Sequence, residues 1–422
     1  MYTKPEELRQ RRAKLLADKP SPYIAVFFSG NAPRTSADGA HHFHVDRNFY
    51  WLTNIDRSNM ILVLKKTGGV VSEELYIEPF DPVQAKWVGA RMLPAEATEV
   101  SGIETIKFLD DFQNGFHTFM RMMRGSDEGN VTVGLDLWKH TADQDDTKAH
   151  KLAHDVQSAY PYAAIDDMYR QLVEGRIIKS PSEIEQMMVA QEHTRIAIEA
   201  MMKHAHAGIN ECELEGAFDF ALAKIGNKEH AFGTIVAGGS RATVLHYNGN
   251  NTNVEDGEMV LIDLGAAYKH YCADISRTFP VNGKFTERQK QFYNMVLAAQ
   301  DLVIENARPG MTLRDLNDMV IKFYEQELPK LGLLQNGDTV RDYYYHSVSH
   351  QLGLDCHDIN CPATAKLQPG MVITVEPGIY VEQENIGIRI ENDIQITEGK
   401  AIDLSKGILK TVEDIEALMQ NK

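Results

Sequence analysis

Apolar residues change their spacing along this chain. Early on they form short runs rich in β-branched and aromatic residues, Ile24–Phe28, Ile61–Leu64 and Glu74–Ile77, and such runs predict strands. A charged amphipathic helix is predicted ahead of them, over about Pro5–Ala17. The spacing changes at Ser180-Pro181-Ser182-Glu183. Ser180 can cap a helix, Pro181 suits its first position and Glu183 completes a capping box. Ile184, Met187, Met188, Ile198, Met201 and Met202 then recur at helical spacing as one apolar face. The stretch Glu174–Lys179 between the two regimes is the predicted boundary. It gives a mixed α/β domain over residues 1–173 and a second domain over residues 174–422.

The second domain carries signs of an internal repeat. Gly208-Ile-Asn-Glu-Cys-Glu-Leu214 parallels Gly310-Met-Thr-Leu-Arg-Asp-Leu316. Each reads as a helix ending at glycine, a new Asn or Thr cap and an apolar helix, ahead of a β region with acidic residues. A duplicated unit would let two β regions face each other across one site.

Those β regions carry ionisable groups where apolar ones are expected. Asp263 lies inside the strand Met259-Val-Leu-Ile-Asp-Leu-Gly265, and Asp274 follows eleven residues later. Glu376 ends the apolar run of Met371-Val-Ile-Thr-Val-Glu-Pro-Gly, and Glu391 falls in the strand Gly387-Ile-Arg-Ile-Glu-Asn-Asp393. Burying such acids unpaired costs several kcal/mol, and carboxylates brought together need a cation or a shared proton. Between the two pairs lies His346-Ser-Val-Ser-His-Gln-Leu-Gly-Leu-Asp-Cys-His357, and His246 ends the run Thr243-Val-Leu-His246. Singly, each acid has a plain structural explanation in a turn or an ion pair. Five such residues in order along one half of the chain, the four acids and a histidine, do not. One histidine with four carboxylates is a hard, oxygen-rich set that suits two Mn²⁺ ions better than a structural zinc, with Co²⁺ or Zn²⁺ as alternatives. Two such ions can share a hydroxide that is nucleophilic at neutral pH.

Composition narrows the partners. The formal net charge of -17 and the lack of any Lys/Arg-rich run argue against nucleic acid. No stretch has the length and apolarity of a signal peptide or membrane span, so a soluble cytoplasmic protein with no membrane partner is expected. Cys212, Cys272, Cys356 and Cys361 form no CxxC pair and read as free thiols. Cys356 and Cys361 stand beside the histidines, where a thiolate ligand competes with a small buried thiol.

With these residues set out, the chain resembles the creatinase/aminopeptidase family with the pita-bread fold. The ordered Asp, Asp, His, Glu, Glu with their eleven- and fifteen-residue gaps carry the likeness, as does the spacing of His346, His350 and His357, similar to that of aminopeptidase P and prolidase. Asn48-Phe-Tyr-Trp-Leu-Thr-Asn54 and Lys86-Trp-Val-Gly-Ala-Arg91 resemble the N-terminal domain of those proteins. The resemblance implies an α+β chain: a mixed α/β N-terminal domain, then a pita-bread catalytic domain with a pseudo-twofold repeat. It implies that Asp263 holds one metal and His350 with Glu376 the other, while Asp274 and Glu391 bridge them. Glu376 would also shuttle protons, His246 and His357 would contact substrate and oxyanion, and His346, Tyr380 and Arg389 would wall the proline subsite. Trp87 would reach towards a neighbouring subunit's site in a homodimer or homotetramer.

The implied activity is release of the N-terminal residue from Xaa-Pro peptides by a metallo-aminopeptidase. Prolidase, limited to Xaa-Pro dipeptides, shares every ligand and stays open as an alternative. A non-catalytic peptide-binding relative is a remoter one. The chain departs from the family pattern at Gln351 and Cys356, and at the run His41, His42 and His44.

Overall fold

The structure is a computed structural model and describes residues 3–335, 337–359 and 362–421. The chain divides into two compact units, Tyr2–Arg176 and Ile177–Lys422.

The first unit is built on a six-stranded mixed sheet in the order Ile106–Phe108, Val70–Ile77, Ile61–Thr67, Tyr23–Phe28, Thr132–Leu135, Ala164–Asp167. The apolar Tyr23–Phe28 runs antiparallel to Ile61–Thr67 and parallel to Thr132–Leu135. Gly68 and Gly69 make the two-residue turn from Thr67 to Val70 at φ of 55° and 77°, a conformation that favours glycine at both positions. Phe112, Phe116, Phe119 and Met120 line one face of helix Phe112–Arg124 and join the core beside the sheet. The first helix, Pro5–Leu15, stops two residues short of the expected end. Helix Pro82–Val88 buries none of its residues, and Phe80, Val83, Trp87 and Val88 are exposed, Trp87 by 83%.

In the second unit, helix Pro181–His204 starts at the expected capping box. Ser180 accepts from the Glu183 amide, and Glu183 accepts from that of Ser180. Met187, Ile198, Met201 and Met202 are buried, whereas Met188 is exposed and Ile184 only half-buried. Met188 lies about 100° around the helix from Met187, so the two cannot share the narrow face that meets the core.

The repeat is built into the hydrogen bonding. Gly208 N–H donates to Val254 O, and Val254 N–H returns to Ile209 O; Gly310 N–H donates to Leu367 O, and Leu367 N–H returns to Met311 O. Gly208 and Gly310 have φ of 82° and 88°. Asn210 and Thr312 then cap helices Glu211–Lys224 and Leu313–Glu327. Asp263 follows Val254 by nine residues and Glu376 follows Leu367 by nine, so the two acids occupy equivalent places. In the first copy Ile235–Gly238, Met259–Leu264 and Ile275–Pro280 form an antiparallel sheet with Met259–Leu264 central. In the second, Val372–Val375 pairs with Asn392–Gln395, and Gly378–Val381 with Ile386–Arg389. Phe218, Val260 and Ile262 share one core with Phe292, Tyr324, Ile373 and Val375.

Three of the four acids sit at strand ends rather than inside strands. Asp274 precedes Ile275–Pro280, Glu376 follows Val372–Val375, and Glu391 stands between Ile386–Arg389 and Asn392–Gln395. Their backbones are pinned from beneath. Arg277, fully buried, donates to Glu391 O at 2.6 Å, and Gln300 donates to Val375 O at 3.3 Å and Ile390 O at 3.0 Å.

Gly265 marks the closest approach of the two aspartate segments. A Cβ there would stand 1.8 Å from Ala273 O. We predict that Gly265→Ala destabilises the protein by about 1–3 kcal/mol through overpacking. Denaturant unfolding checks this, and an unchanged midpoint would contradict the close approach.

Candidate metal centre

Asp263 lies on the central strand, in register with Ser276 on one neighbour and Ile235 on the other. Its Oδ2 accepts from Arg389 Nη2 at 2.8 Å, while its buried Oδ1 has no hydrogen-bond partner among the described residues. Arg389 is itself buried. Its Nε donates to Ser276 Oγ at 2.8 Å and its Nη1 to Tyr380 Oη at 2.9 Å. Ser276 Oγ in turn donates to Glu391 Oε2 at 2.7 Å. Thr374 does the same for Glu376, donating to Oε1 at 3.3 Å and accepting from the His350 amide at 3.1 Å.

The histidines are fixed by carbonyls. His350 Nδ1 donates to Gln351 O at 3.0 Å, which leaves Nε2 to face the acids. His350 Nε2 lies 3.4 Å from Asp274 Oδ2 and 3.5 Å from Glu376 Oε1. Charge-assisted hydrogen bonds are shorter, about 2.8 Å. Ligand atoms held about 2.1 Å from one tetrahedral ion stand about 3.4 Å apart, so this spacing suits a shared cation. His346 Nδ1 faces Ser347 O and its Nε2 faces Tyr380 Oη, each at 2.8 Å. The result is one chain of contacts from Asp263 through Arg389 and Tyr380 to His346.

Burial sets the charges. It pushes Asp263 up to about 6 against the pull of Arg389, and Glu376 up to about 7 against that of His350. It raises Glu391 well above the usual carboxylate range, with Asp274 and Glu376 adding to the shift. Burial also opposes ionisation of Asp274, but its contact with His350 outweighs this and holds it low. His350 is raised to about 10 because Asp274 and Glu376 overcome its own burial. Burial, with the Arg389 charge behind it, drives His346 down to about 3, and burial beside His350 lowers His357. Protonated His350 thus occupies the place where a metal would put positive charge. The orphaned Asp263 oxygen, the uncompensated acids and the His350 spacing together fit divalent cations.

Asp263, Asp274, His350, Glu376, Glu391, His246, His346, His357 and Arg389 line one cavity of about 440 Å³, and Tyr380 backs it through His346 and Arg389. Donor atoms of Asp274, His350 and Glu391 all lie within 4.8 Å of one another. Trp87 belongs to the other compact unit. Cys356 lines the cavity, whereas Cys361 lies outside the described residues. Among the described residues His41, His42 and His44 gather no metal-binding group.

Sequence reasoning missed Ser276 and Thr374, which hold the acids. Both were within reach of the period-two rule: Ser276 is two residues from Asp274, and Thr374 two from Glu376.

Comparison with known proteins gives concordant results. The profile of metallopeptidase family M24 matches residues 185–398, and that of the aminopeptidase P N-terminal domain matches residues 8–126. A Haemophilus influenzae protein named Xaa-Pro aminopeptidase is 32% identical over 98% of this chain and 97% of its own. A Bacillus anthracis structure, provisionally assigned as an aminopeptidase P, superposes with a TM-score of 0.95 at 41% identity, covering 99% of each chain. The aminopeptidase P of Escherichia coli with the inhibitor Pro-Leu superposes at 0.89 with 30% identity, covering 100% of this chain and 99% of that one.

Asp274 contacts His350 and shares a donor cluster with Glu391, so its charge is central. Asp274→Asn is expected to weaken divalent-metal binding by more than about a hundredfold while the fold persists. Titrating metal-free protein calorimetrically, with circular dichroism as the fold control, reads this; near-normal affinity would refute the central role.

Proposed function

The chain belongs to metallopeptidase family M24, and from that premise we propose that it is a two-metal aminopeptidase releasing the N-terminal residue from peptides with proline second. One observation carries this: donors from both copies of the repeat converge on one cavity, in a chain spanning nearly the full length of a relative named Xaa-Pro aminopeptidase.

In this reading Asp263, Asp274, His350, Glu376 and Glu391 would hold the ions, Asp263 in one half of the centre and His350 with Glu376 in the other. The oxygen-rich set favours Mn²⁺, with Co²⁺ or Zn²⁺ as substitutes. Such ions supply Lewis acidity for the scissile carbonyl and make water acidic enough to attack near neutral pH. Glu376 takes the attacking water's proton on its carboxylate and hands it to the proline nitrogen as that atom leaves. His357 donates to the carbonyl oxygen as negative charge grows there. Its lowered pKa keeps it neutral with one N–H to give. His246, exposed at the cavity edge, contacts the substrate backbone. His346, Tyr380 and Arg389, locked together, form the wall for the proline ring. The substrate's terminal amine binds near Asp263, which limits cleavage to the chain end.

Residues 1–173 act as an aminopeptidase P-like N-terminal domain and residues 174–422 as the pita-bread catalytic domain. The protein works on proline-containing peptides, without nucleic acid or membrane as partner. No helix among the described residues is long and apolar enough to cross a membrane. Thiols at Cys212 and Cys356 outside any disulfide support the cytoplasm as its compartment. The exposed indole of Trp87, with Val83 and Val88 beside it, supports a homodimer or homotetramer in which Trp87 closes a neighbour's cleft.

Mn²⁺-loaded protein should cleave both Xaa-Pro and Xaa-Pro-Yaa-Zaa peptides. Cleavage of the dipeptide alone would make it a prolidase, and cleavage of neither would sink the proposal. In the same assay His357→Ala should lower turnover by about a hundredfold, with KM and metal content little changed. Loss of metal would instead make His357 a ligand. Light scattering should give a mass of two or four chains that falls in Trp87→Ala; a fully active monomer would refute the interface.

A further inference from the structure

Cys356 lines the cavity but has no part in the mechanism above. The Cys356 Sγ stands 2.9 Å from Asp274 Oδ2, the oxygen that His350 Nε2 approaches at 3.4 Å. Donor atoms of His350, Cys356 and His357 lie within 4.8 Å of one another, and the two imidazole rings are 4.4 Å apart. Sulfur, nitrogen and oxygen donors therefore surround one point on the His350 side. Asp263, in the other half of the proposed centre, offers carboxylate oxygen alone.

The loop bearing Cys356 is held from both flanks. Asp358 forms a buried ion pair with Lys179 at 3.0 Å, and its N–H donates to Gln351 O at 3.1 Å. Gly353 N–H donates to Asp355 O at 3.1 Å, and Cys272 N–H to Gly353 O at 2.8 Å. The backbone on either side of Cys356 is thus held at the cavity wall. Ligand atoms about 2.1 Å (oxygen, nitrogen) and 2.3 Å (sulfur) from one tetrahedral ion stand about 3.4–3.6 Å apart. His350 and Asp274 already have that spacing. Cys356 reaches it by withdrawing about 0.6 Å, a modest rotation about its Cα–Cβ bond.

We infer that Cys356 is a metal ligand in the His350 half of the centre, which therefore takes a thiophilic divalent cation such as Zn²⁺, Co²⁺ or Cd²⁺ through nitrogen, oxygen and sulfur. The inference rests on the metal centre proposed above and adds a donor to it. On binding, the sulfur–hydrogen bond gives its proton to solvent and the sulfur electron pair goes to the ion. The two halves then differ in softness: carboxylates favour Mn²⁺, whereas the sulfur-bearing half favours the softer ions.

The test titrates metal-free full-length protein with Co²⁺ and follows near-ultraviolet absorption. A sulfur-to-cobalt charge-transfer band is expected in the wild type and absent in Cys356→Val and Cys356→Ser, with every variant still binding cobalt. Cd²⁺ affinity should fall at least about tenfold in both variants, and Mn²⁺ affinity much less. Retained Mn²⁺ binding also serves as the check that the variants fold. Lack of a Cys356-dependent band, or equal losses for Cd²⁺ and Mn²⁺, would overturn the inference and leave the thiol as a hydrogen-bond donor to Asp274. Failure here is separable from failure of the peptidase reading, because wild-type cleavage of Xaa-Pro peptides tests that reading without reference to sulfur.

Discussion

The need to hold four carboxylates in one buried cavity governs this catalytic unit. Desolvation and mutual repulsion both oppose their ionisation, and together they amount to more than a fold of ordinary stability can absorb unaided. The neighbourhood is arranged to share that load. Arg389 neutralises Asp263, His350 sits between Asp274 and Glu376, and Ser276 and Thr374 donate to Glu391 and Glu376. What remains is a deficit of positive charge and an oxygen of Asp263 without a hydrogen-bond partner among the described residues. A site balanced with its cations is necessarily unbalanced without them, and that imbalance is the electrostatic signature of the centre.

Such a cluster needs backbones that do not move. Arg277 and Gln300 reach from beneath to the carbonyls of Glu391, Val375 and Ile390, and Asp393 accepts from the Asp274 amide. Asp393 is itself held by Gln191 and by the Ser405 hydroxyl on its amide. These buried polar groups bring little net stability, since pairing mostly offsets their desolvation. Their contribution is geometric. Every acid is fixed by a contact to its side chain and another to the adjoining backbone, so the donors stay in place for ions to bind.

How much of this could be read from the chain depended on whether the signal was local. Asp263 was legible because an acid inside an apolar run breaks the pattern, and the Ser180 cap because its chemistry spans only four residues. The repeat showed in seven residues, yet its force comes from the bonds of Gly208 to Val254 and Gly310 to Leu367, pairings that link distant segments. The positions of Gly265 and Gly387 gave no warning: each is required by a carbonyl, Ala273 O or Ala242 O, that only tertiary packing brings close. Met188 was misassigned because hydropathy alone cannot fix the angular width of a buried face. Arg389 was singled out only through family likeness, since nothing near it in sequence announces a partner 126 residues away.

The two copies of the repeat share their strands and differ in what joins helix to strand. In the first copy the segment from Lys224 to Met259 brings His246 to the cavity. In the second, the segment from Glu327 to Val372 brings His346, His350, Cys356 and His357. The strands thus supply charge, where rigidity matters because like charges must be held at fixed separation. The connecting segments supply neutral or protonatable donors, of which His346 and His350 are each secured by a carbonyl. The carboxylate frame thus lies in the repeated part of the fold, and His350 with the other histidines of the cavity in the part that is not repeated. A change in a connecting segment, such as a thiol beside His357, can therefore alter the chemistry of the centre without disturbing the carboxylate frame beneath it.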